Sequence, residues 1–426
     1  MSYMPHPFVV IFGKAVRSVA RLRGGGSALP GLFVERIDPQ FLKKTLAPLP
    51  HGVVVISGTN GKTTTTKMVV ALLEAHGLKV FTNRTGSNFT RGVAAALLGD
   101  INLRGQLDAD IAVLELDEAH AVKFVEVIPP THSLILNVMR DQLDRFGEID
   151  ATAKLLQKIV EATTESVVLN REDPRIRSLA QQTKKQRVSY FGVSKTLRAS
   201  FPTDDELRGD AVRQDALPDS AVQLESHTHS SATFVIDGTH FSTSLRITGV
   251  YNILNAAAAL ALTKSVLGDT FSSIEAIHAL ANVTPAFGRG ETMTIGGQPL
   301  ELVLVKNPSG FRLGLSSFSP KGYATMIAIN DNYADGRDMS WLWDVDFESL
   351  TEAGVAAVSG IRAYDMAVRL QYDRITTELV ETDLTTALRT FIDHYPDTPK
   401  RIYCTYTAMI TLRKELSKIT TVEVVA

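Results

Sequence analysis

VVVISGTNGKTTT, residues 53–65, decides the fold. Val53–Ile56 is a short β-branched apolar run, the pattern of a buried parallel strand. It runs directly into Gly58-Thr59-Asn60-Gly61-Lys62-Thr63, and the next segment, TTTKMVVALLEAH (Thr64–His76), is helical in pattern and stops at Gly77. Strand, glycine loop and helix in that order form the context a phosphate-binding loop requires. Backbone N–H groups at a helix start can wrap phosphate oxygens where side chains are small. Gly58 and Gly61 allow that approach, Lys62 supplies charge for the β and γ phosphates, and the Thr63 hydroxyl can hold Mg²⁺. The match to G-x-x-x-x-G-K-[ST] is incomplete, because its first glycine would fall at Ile56. The bland alternative is a strand-to-helix turn with a solvated lysine.

Working outward, strand patterns recur at Lys79–Thr82, Ile111–Leu116, Ser133–Val138 and Ser166–Leu169, with helical stretches such as Ala151–Ala162 between them. Such alternation predicts an α/β domain with a mostly parallel sheet. Glu115 ends one of these strands. A carboxylate at a strand's C-terminal edge beside a phosphate loop is placed for Mg²⁺. Thr196–Ser231 is polar and aperiodic, and reads as a loop or a β excursion; Asp237-Gly238 between apolar runs signals a hairpin. Asn255–Leu267 is Ala-rich and helical. Pro285 and Gly288-Arg289-Gly290 read as a hinge, after which strands at Glu301–Val305 and Ala324–Ile329 and helices at Gly360–Gln371 and Thr385–His394 predict a smaller C-terminal α/β domain. The expected division is an N-terminal segment over 1–50, a central domain over 51–290 with a polar insertion at 196–245, and a C-terminal domain over 291–426.

The bulk numbers agree. At roughly 100–200 residues per domain, a chain of this length holds two to four. The 426 residues are 44% hydrophobic and 21% charged with net charge −2, so no global field attracts nucleic acid. One cysteine, Cys404, excludes an internal disulfide framework and a cysteine-built zinc site, and fits a reducing cytoplasm. Cys404 lies in IYCTYTAM without the elbow of a nucleophile and reads as a strand residue. No apolar run reaches the roughly 18–20 residues of a membrane span. Phe8–Phe12 is followed by Lys14, Arg17, Arg21 and Arg23, the reverse of an export signal. A helix over 13–23 could pack on its own domain or touch a membrane surface.

SGTNGKTTT closely resembles the loop of the Mur ligase family, the amino-acid-adding enzymes of peptidoglycan precursor synthesis and their folylpolyglutamate relatives. The resemblance extends the ATP site over Gly58, Thr59, Asn60, Gly61, Lys62, Thr63 and Thr64, and makes Thr63 and Glu115 Mg²⁺ ligands. NVMRDQLDRFGE (137–148) is similar to the family's N-x-x-x-DHLD segment, with Gln142 where relatives carry a second-metal histidine. Lys154 falls where many members have a carbamylated lysine, or is a plain surface lysine. GVYNILNAAAALAL (249–262) implies that Asn252 and Asn255 lie near adenine, and GRGE (288–291) that Arg289 reaches ATP.

The C-terminal third leaves the amino-acid-adding pattern. Where those ligases have D-Y-A-H-x-P, this chain has KNPSGF (306–311). AINDNYADGRDMSWLWDVDFE (328–348) gathers Asp331, Asp335, Asp338, Asp344 and Asp346 with both tryptophans. From its chemistry alone this is a metal loop, a solvated acidic loop or a surface shared with a partner; its spacing is wrong for an EF-hand. With YTAM (406–409) and GKAVRSVARLRGGGSALPG (13–31), it resembles the MurT branch of the family. That resemblance implies an ATP-dependent carbon–nitrogen ligase. It would phosphorylate the α-carboxyl of D-glutamate in the lipid II stem peptide and transfer ammonia to form D-isoglutamine. It also implies ATP and Mg²⁺ as cofactors and a GatD-type class I glutamine amidotransferase as partner. An aspartate of this chain, Asp338 first and Asp335 second, would complete the partner's glutaminase site. The protein would work in the cytoplasm, at the inner face of the plasma membrane. Many members of the branch carry a four-cysteine zinc ribbon; here the polar insertion stands in its place, so no zinc is expected. The alternatives are a free-standing amino-acid-adding ligase and a nucleotide switch that makes no bond.

Overall fold

The computed structural model describes residues 7–22, 29–83, 89–140, 149–207, 216–228, 231–247, 249–284 and 289–422. Gln142, the triple glycine at 24–26, Pro285 and Gly288 lie outside them.

β1 (Val53–Ser57) is buried at every position and sits inside a nine-stranded sheet. With β2 (Val80–Thr82), β3 (Ile111–Glu115), β4 (His132–Ile135), β5 (Ser166–Asn170) and β6 (Arg187–Val193), the order is β2-β3-β1-β4-β5-β6, all parallel. The polar insertion extends this edge. β7 (Val222–His227) joins β6 in parallel, and β8 (Ser231–Ile236) and β9 (Thr239–Ser244) add antiparallel strands. Asp237 and Gly238 turn the β8–β9 hairpin with positive φ at both positions.

From β1 the chain crosses to β2 on one side, and from β4 to β5 on the other. The crevice between β1 and β4 is therefore the topological switch point, where open parallel sheets bind ligands at the strands' C-terminal ends.

Helix Val250–Leu267 packs on the Lys62–Ala75 helix and on β5–β7. Its run of alanines permits that approach. Among the described residues it alone has the length and hydropathy of a membrane span, a case the reading by apolar runs did not count. Its middle is wholly buried among core residues, so it is an interior helix of the fold.

The opposite face of the sheet is covered by helices Thr90–Asp100, Glu118–Val127 and Ile149–Ala162, and by the N-terminal pair Pro7–Leu22 and Leu29–Ile37. The first of these starts earlier than expected from the sequence. Pro7 is tolerated in a first turn, so the apolar run Phe8–Phe12 and the basic run after it belong to one helix.

A second sheet has the order β10-β11-β15-β12-β13-β14. Its strands are β10 (Arg289–Ile295), β11 (Gln298–Leu304), β12 (Ala324–Ala328), β13 (Val355–Ser359), β14 (Thr377–Glu381) and β15 (Lys400–Cys404), and only β10 runs antiparallel. Phe311, Trp341, Phe347 and Tyr403 fill one face, and Leu300, Phe391, Ile402 and Met409 the other. Cys404 is a buried residue of β15.

Candidate active site between the two sheets

Gly61 caps the Lys62–Ala75 helix at φ 89°, a left-handed conformation that favours glycine. A Cβ there would meet the Asn255 amide at 2.7 Å, so glycine is required twice over. A Cβ on Gly58, at φ 133°, would lie 2.9 Å from the Asn137 carbonyl.

The tail of β4 latches the loop. Asn137 accepts from the Asn60 N–H at 2.9 Å and donates to the Asn60 carbonyl at 3.0 Å, and the Thr59 N–H reaches the Asn137 carbonyl at 3.1 Å. The Thr59 hydroxyl accepts from the Met139 N–H at 3.0 Å. Loop shape is thus set before any ligand arrives.

The structure brings the expected Mg²⁺ pair together. The Thr63 hydroxyl donates to Glu115 Oε1 at 2.9 Å. Asn83, at the end of β2, fixes the Glu115 backbone from both sides at 2.8 and 3.0 Å. A hydroxyl beside a carboxylate suits Mg²⁺, which takes few protein oxygens and completes its shell with water and phosphate. The Thr64 hydroxyl is buried without a hydrogen-bond partner, an orphan that a phosphate oxygen would satisfy. Among the described residues no three His, Cys, Asp or Glu side chains gather to hold a metal.

Lys62, expected to serve the β and γ phosphates, has partners within the protein. Its ammonium is buried, bonded to the Gly58 and Thr59 carbonyls and paired with Glu118 at 3.4 Å. Burial disfavours charge on Glu118; Lys62, its own backbone N–H and Lys306 outweigh that and hold its carboxyl below the usual range. Sequence reasoning missed Glu118. The available signal was an acid in the first turn of the helix that follows Glu115.

A cleft of about 150 Å³ opens above the loop. The central sheet contributes Asn60, Gly61, Asn137, Tyr251, Asn252 and Asn255, and the second sheet contributes Val303, Leu304, Lys306, Gly310 and Phe318. Asn307 joins the two walls. It caps helix Pro308–Ser317 by accepting the Gly310 N–H at 2.6 Å and donates to Asn60 Oδ1 at 3.3 Å. Ser309 reaches Asp204 at 3.2 Å from the same helix. Arg289 opens β10 opposite Val303. Lys154 is exposed on helix Ile149–Ala162 and does not line the cleft.

The acidic segment sits at the C-terminal edge of the second sheet and is ordered rather than merely solvated. Asp335 is only 1% exposed. It accepts the Thr407 N–H at 2.8 Å, the Thr407 hydroxyl at 2.6 Å and the Asn332 N–H at 3.1 Å. Asp331 pairs with Arg362 at 2.9 Å. Asp338 is half-buried, and its bonds from Ser340 hold its carboxyl below the usual range. Of the two candidates, Asp338 keeps the more open carboxylate.

The Mur ligase middle domain family matches residues 56–263, and the MurT ligase C-terminal family residues 304–409. The lipid II isoglutaminyl synthase (glutamine-hydrolyzing) subunit MurT of Streptococcus pneumoniae is 31% identical over 442 residues, 96% of this chain and 96% of its own. A pseudomurein peptide ligase type C from Methanothermus fervidus aligns with TM-score 0.66 at 17% identity, over 89% of this chain and 81% of that one. The MurF ligase of Thermotoga maritima, solved with ADP, aligns with TM-score 0.61 at 17% identity, over 89% of this chain and 84% of that one. At such identities the two structures speak for the fold.

Proposed function

Because the chain belongs to the MurT family of Mur ligases, we propose that it is the ATP-consuming ligase subunit of a lipid II isoglutaminyl synthase. The cleft carries the reading. Phosphate loop and second sheet meet there, with Asn60 of one wall bonded to Asn307 of the other.

A carboxylate is a poor electrophile. A carboxyl oxygen of the D-glutamate attacks the γ-phosphorus of ATP, ADP leaves, and an acyl phosphate forms. Ammonia then attacks the acyl carbon, phosphate departs, and a proton lost from nitrogen leaves the amide. Lys62 leaves the Gly58 and Thr59 carbonyls and turns toward the transferred phosphoryl group, with Glu118 holding it charged in the meantime. Asn137 holds the loop's shape by taking the Thr59 and Asn60 N–H groups, and the N–H groups at the start of helix Lys62–Ala75 receive the phosphates. Thr63 and Glu115 would hold Mg²⁺, which would supply charge to offset that on the phosphates. Asn252, Asn255 and Arg289 border the nucleotide. Lys154 enters only as a carbamylation position, read as added mass on the intact chain.

Ammonia comes from a GatD-type class I glutamine amidotransferase bound to the C-terminal domain, 291–426. Asp338 faces that partner's cysteine–histidine pair, while Asp335 holds the loop. The central domain spans 51–290, helices Pro7–Leu22 and Leu29–Ile37 of the segment 1–50 pack on it, and the complex works in the cytoplasm against the membrane's inner face.

The test is amidation of lipid II with Mg·ATP and ammonium chloride, then with glutamine and the partner. Exchange of –OH for –NH₂ in the muropeptide mass is the expected result. Unchanged mass with incorporation of a labelled amino acid would instead make the chain an amino-acid-adding ligase.

A further inference from the structure

The N-terminal helix has two apolar faces, and only one is used. Val9, Val10 and Ala20 are buried, and Gly13 lets Val34 and Leu98 approach. On the outward side Phe8 is 63% exposed, Ile11 54% and Val19 50%. The neighbouring helix continues the patch with Leu29, Phe33 and Ile37, all exposed, and the Phe12 and Phe33 rings meet edge to face at 6.3 Å. Helix Pro7–Leu22 has no acid; Lys14 sits half-buried beside the apolar face, and the Arg17 guanidinium turns back onto Gly99 of the domain. Arg36 is exposed on the second helix, whose own Glu35 is paired with Arg91 at 2.9 Å.

We propose that this outward face is a membrane-docking surface for an anionic bilayer, seating the apolar side chains at the headgroup boundary with the cations beside them. An apolar strip flanked by lysine and arginine is the pattern of a helix lying in a membrane interface. A second copy of the chain fits less well, since a two-fold contact would set one cationic flank against the other.

The placement in the fold gives the surface a use. Gly31, two residues before Phe33, packs on the Arg91 carbonyl, which a Cβ would meet at 2.0 Å. Phe89, beside that turn, lies 5.6 Å from His120, in the first turn of the helix that holds Glu118. The aromatic end of the patch therefore shares the sheet edge that carries Glu115 and the phosphate loop. Docking there turns the catalytic edge toward an acceptor carried on a lipid. This use rests on the proposed function; the docking itself does not.

The test is co-sedimentation of the full chain with vesicles of phosphatidylcholine alone, or of phosphatidylcholine and phosphatidylglycerol in equal parts. The wild type should pellet with the anionic vesicles. Phe8→Ser with Ile11→Ser should lower the partition about tenfold, and Lys14→Glu should erase the preference for phosphatidylglycerol, with thermal unfolding and ATP hydrolysis unchanged. A wild type that stays in solution overturns the proposal. So does a serine variant that pellets like the wild type, or one that instead splits a dimer in sedimentation velocity. Amidation of an acceptor with a shortened, water-soluble carrier separates the two readings. Its absence counts against the ligase assignment, whereas vesicle binding is scored without it.

Discussion

Both sheets end, at their C-terminal edges, in a loop that leads into a helix, and the two helix starts are treated in opposite ways. In the central sheet the turn before Lys62 is built from glycine and backbone N–H groups, and its latch to Asn137 leaves it open to the cleft. In the second sheet the helix Tyr406–Leu416 begins beneath Asp335, whose two oxygens take the Thr407 N–H and hydroxyl. A helix N-terminus attracts an anion. One edge reserves that attraction for a ligand, and the other satisfies it with the protein's own carboxylate. The first is a binding site. On the proposed function, the second is a platform from which Asp338 meets the partner.

The sharpest way to break this contrast is Lys62→Ala. ATP turnover should fall by about three orders of magnitude, the scale of losing a principal charge on a transferred phosphoryl group. Circular dichroism should be unchanged; retained turnover would remove the loop from the chemistry. Asp338→Asn comes next. Glutamine-driven amidation should drop by about a hundredfold, while ammonia-driven amidation stays within about twofold, as expected for a group serving only the glutaminase reaction. Equal losses in both assays would move Asp338 into the ligase site or the fold. Asp335→Asn should cost about 2 kcal/mol in urea unfolding, because a buried charge-assisted cap becomes a neutral one. If stability holds and only glutamine-driven activity falls, the roles assigned to the two aspartates are reversed. Asn307→Ala is the mildest of the four. It should raise the KM for ATP about fivefold, with kcat little changed, as the hydrogen bond between the cleft's walls is lost, and should lower stability by about 1 kcal/mol as helix Pro308–Ser317 loses its cap.

The two edges were also unequally legible. The phosphate loop could be read because strand, loop and helix occupy one short stretch, and Glu115 followed from the end of another strand. Residues that meet only through folding were invisible. Glu118 reaches Lys62 across 56 positions and Asn307 reaches Asn60 across 247, so no local pattern announces either pair. At the second edge, five aspartates in one segment offered no chemical reason to choose among them. Only depth separates Asp335, under the helix start, from Asp338, at the rim. The parallel sheets are legible from alternating patterns, although β6, β10, β13 and β14 carry no such signal. The N-terminal helix starts before the expected 13–23 because its apolar and basic runs form one helix behind Pro7.

Asn307 has a consequence in the thermodynamics of assembly. One side chain caps a helix of the second sheet and touches the nucleotide loop of the first. A ligand that shifts Asn307 would then alter the affinity of the first sheet for ATP, and the relation is reciprocal. If a bound partner tightens ATP by some factor, ATP tightens the partner by the same factor. Titration calorimetry of each ligand, with and without the other, closes that cycle. A cycle in which neither ligand changes the other's affinity would show that the two sheets, though joined, respond independently.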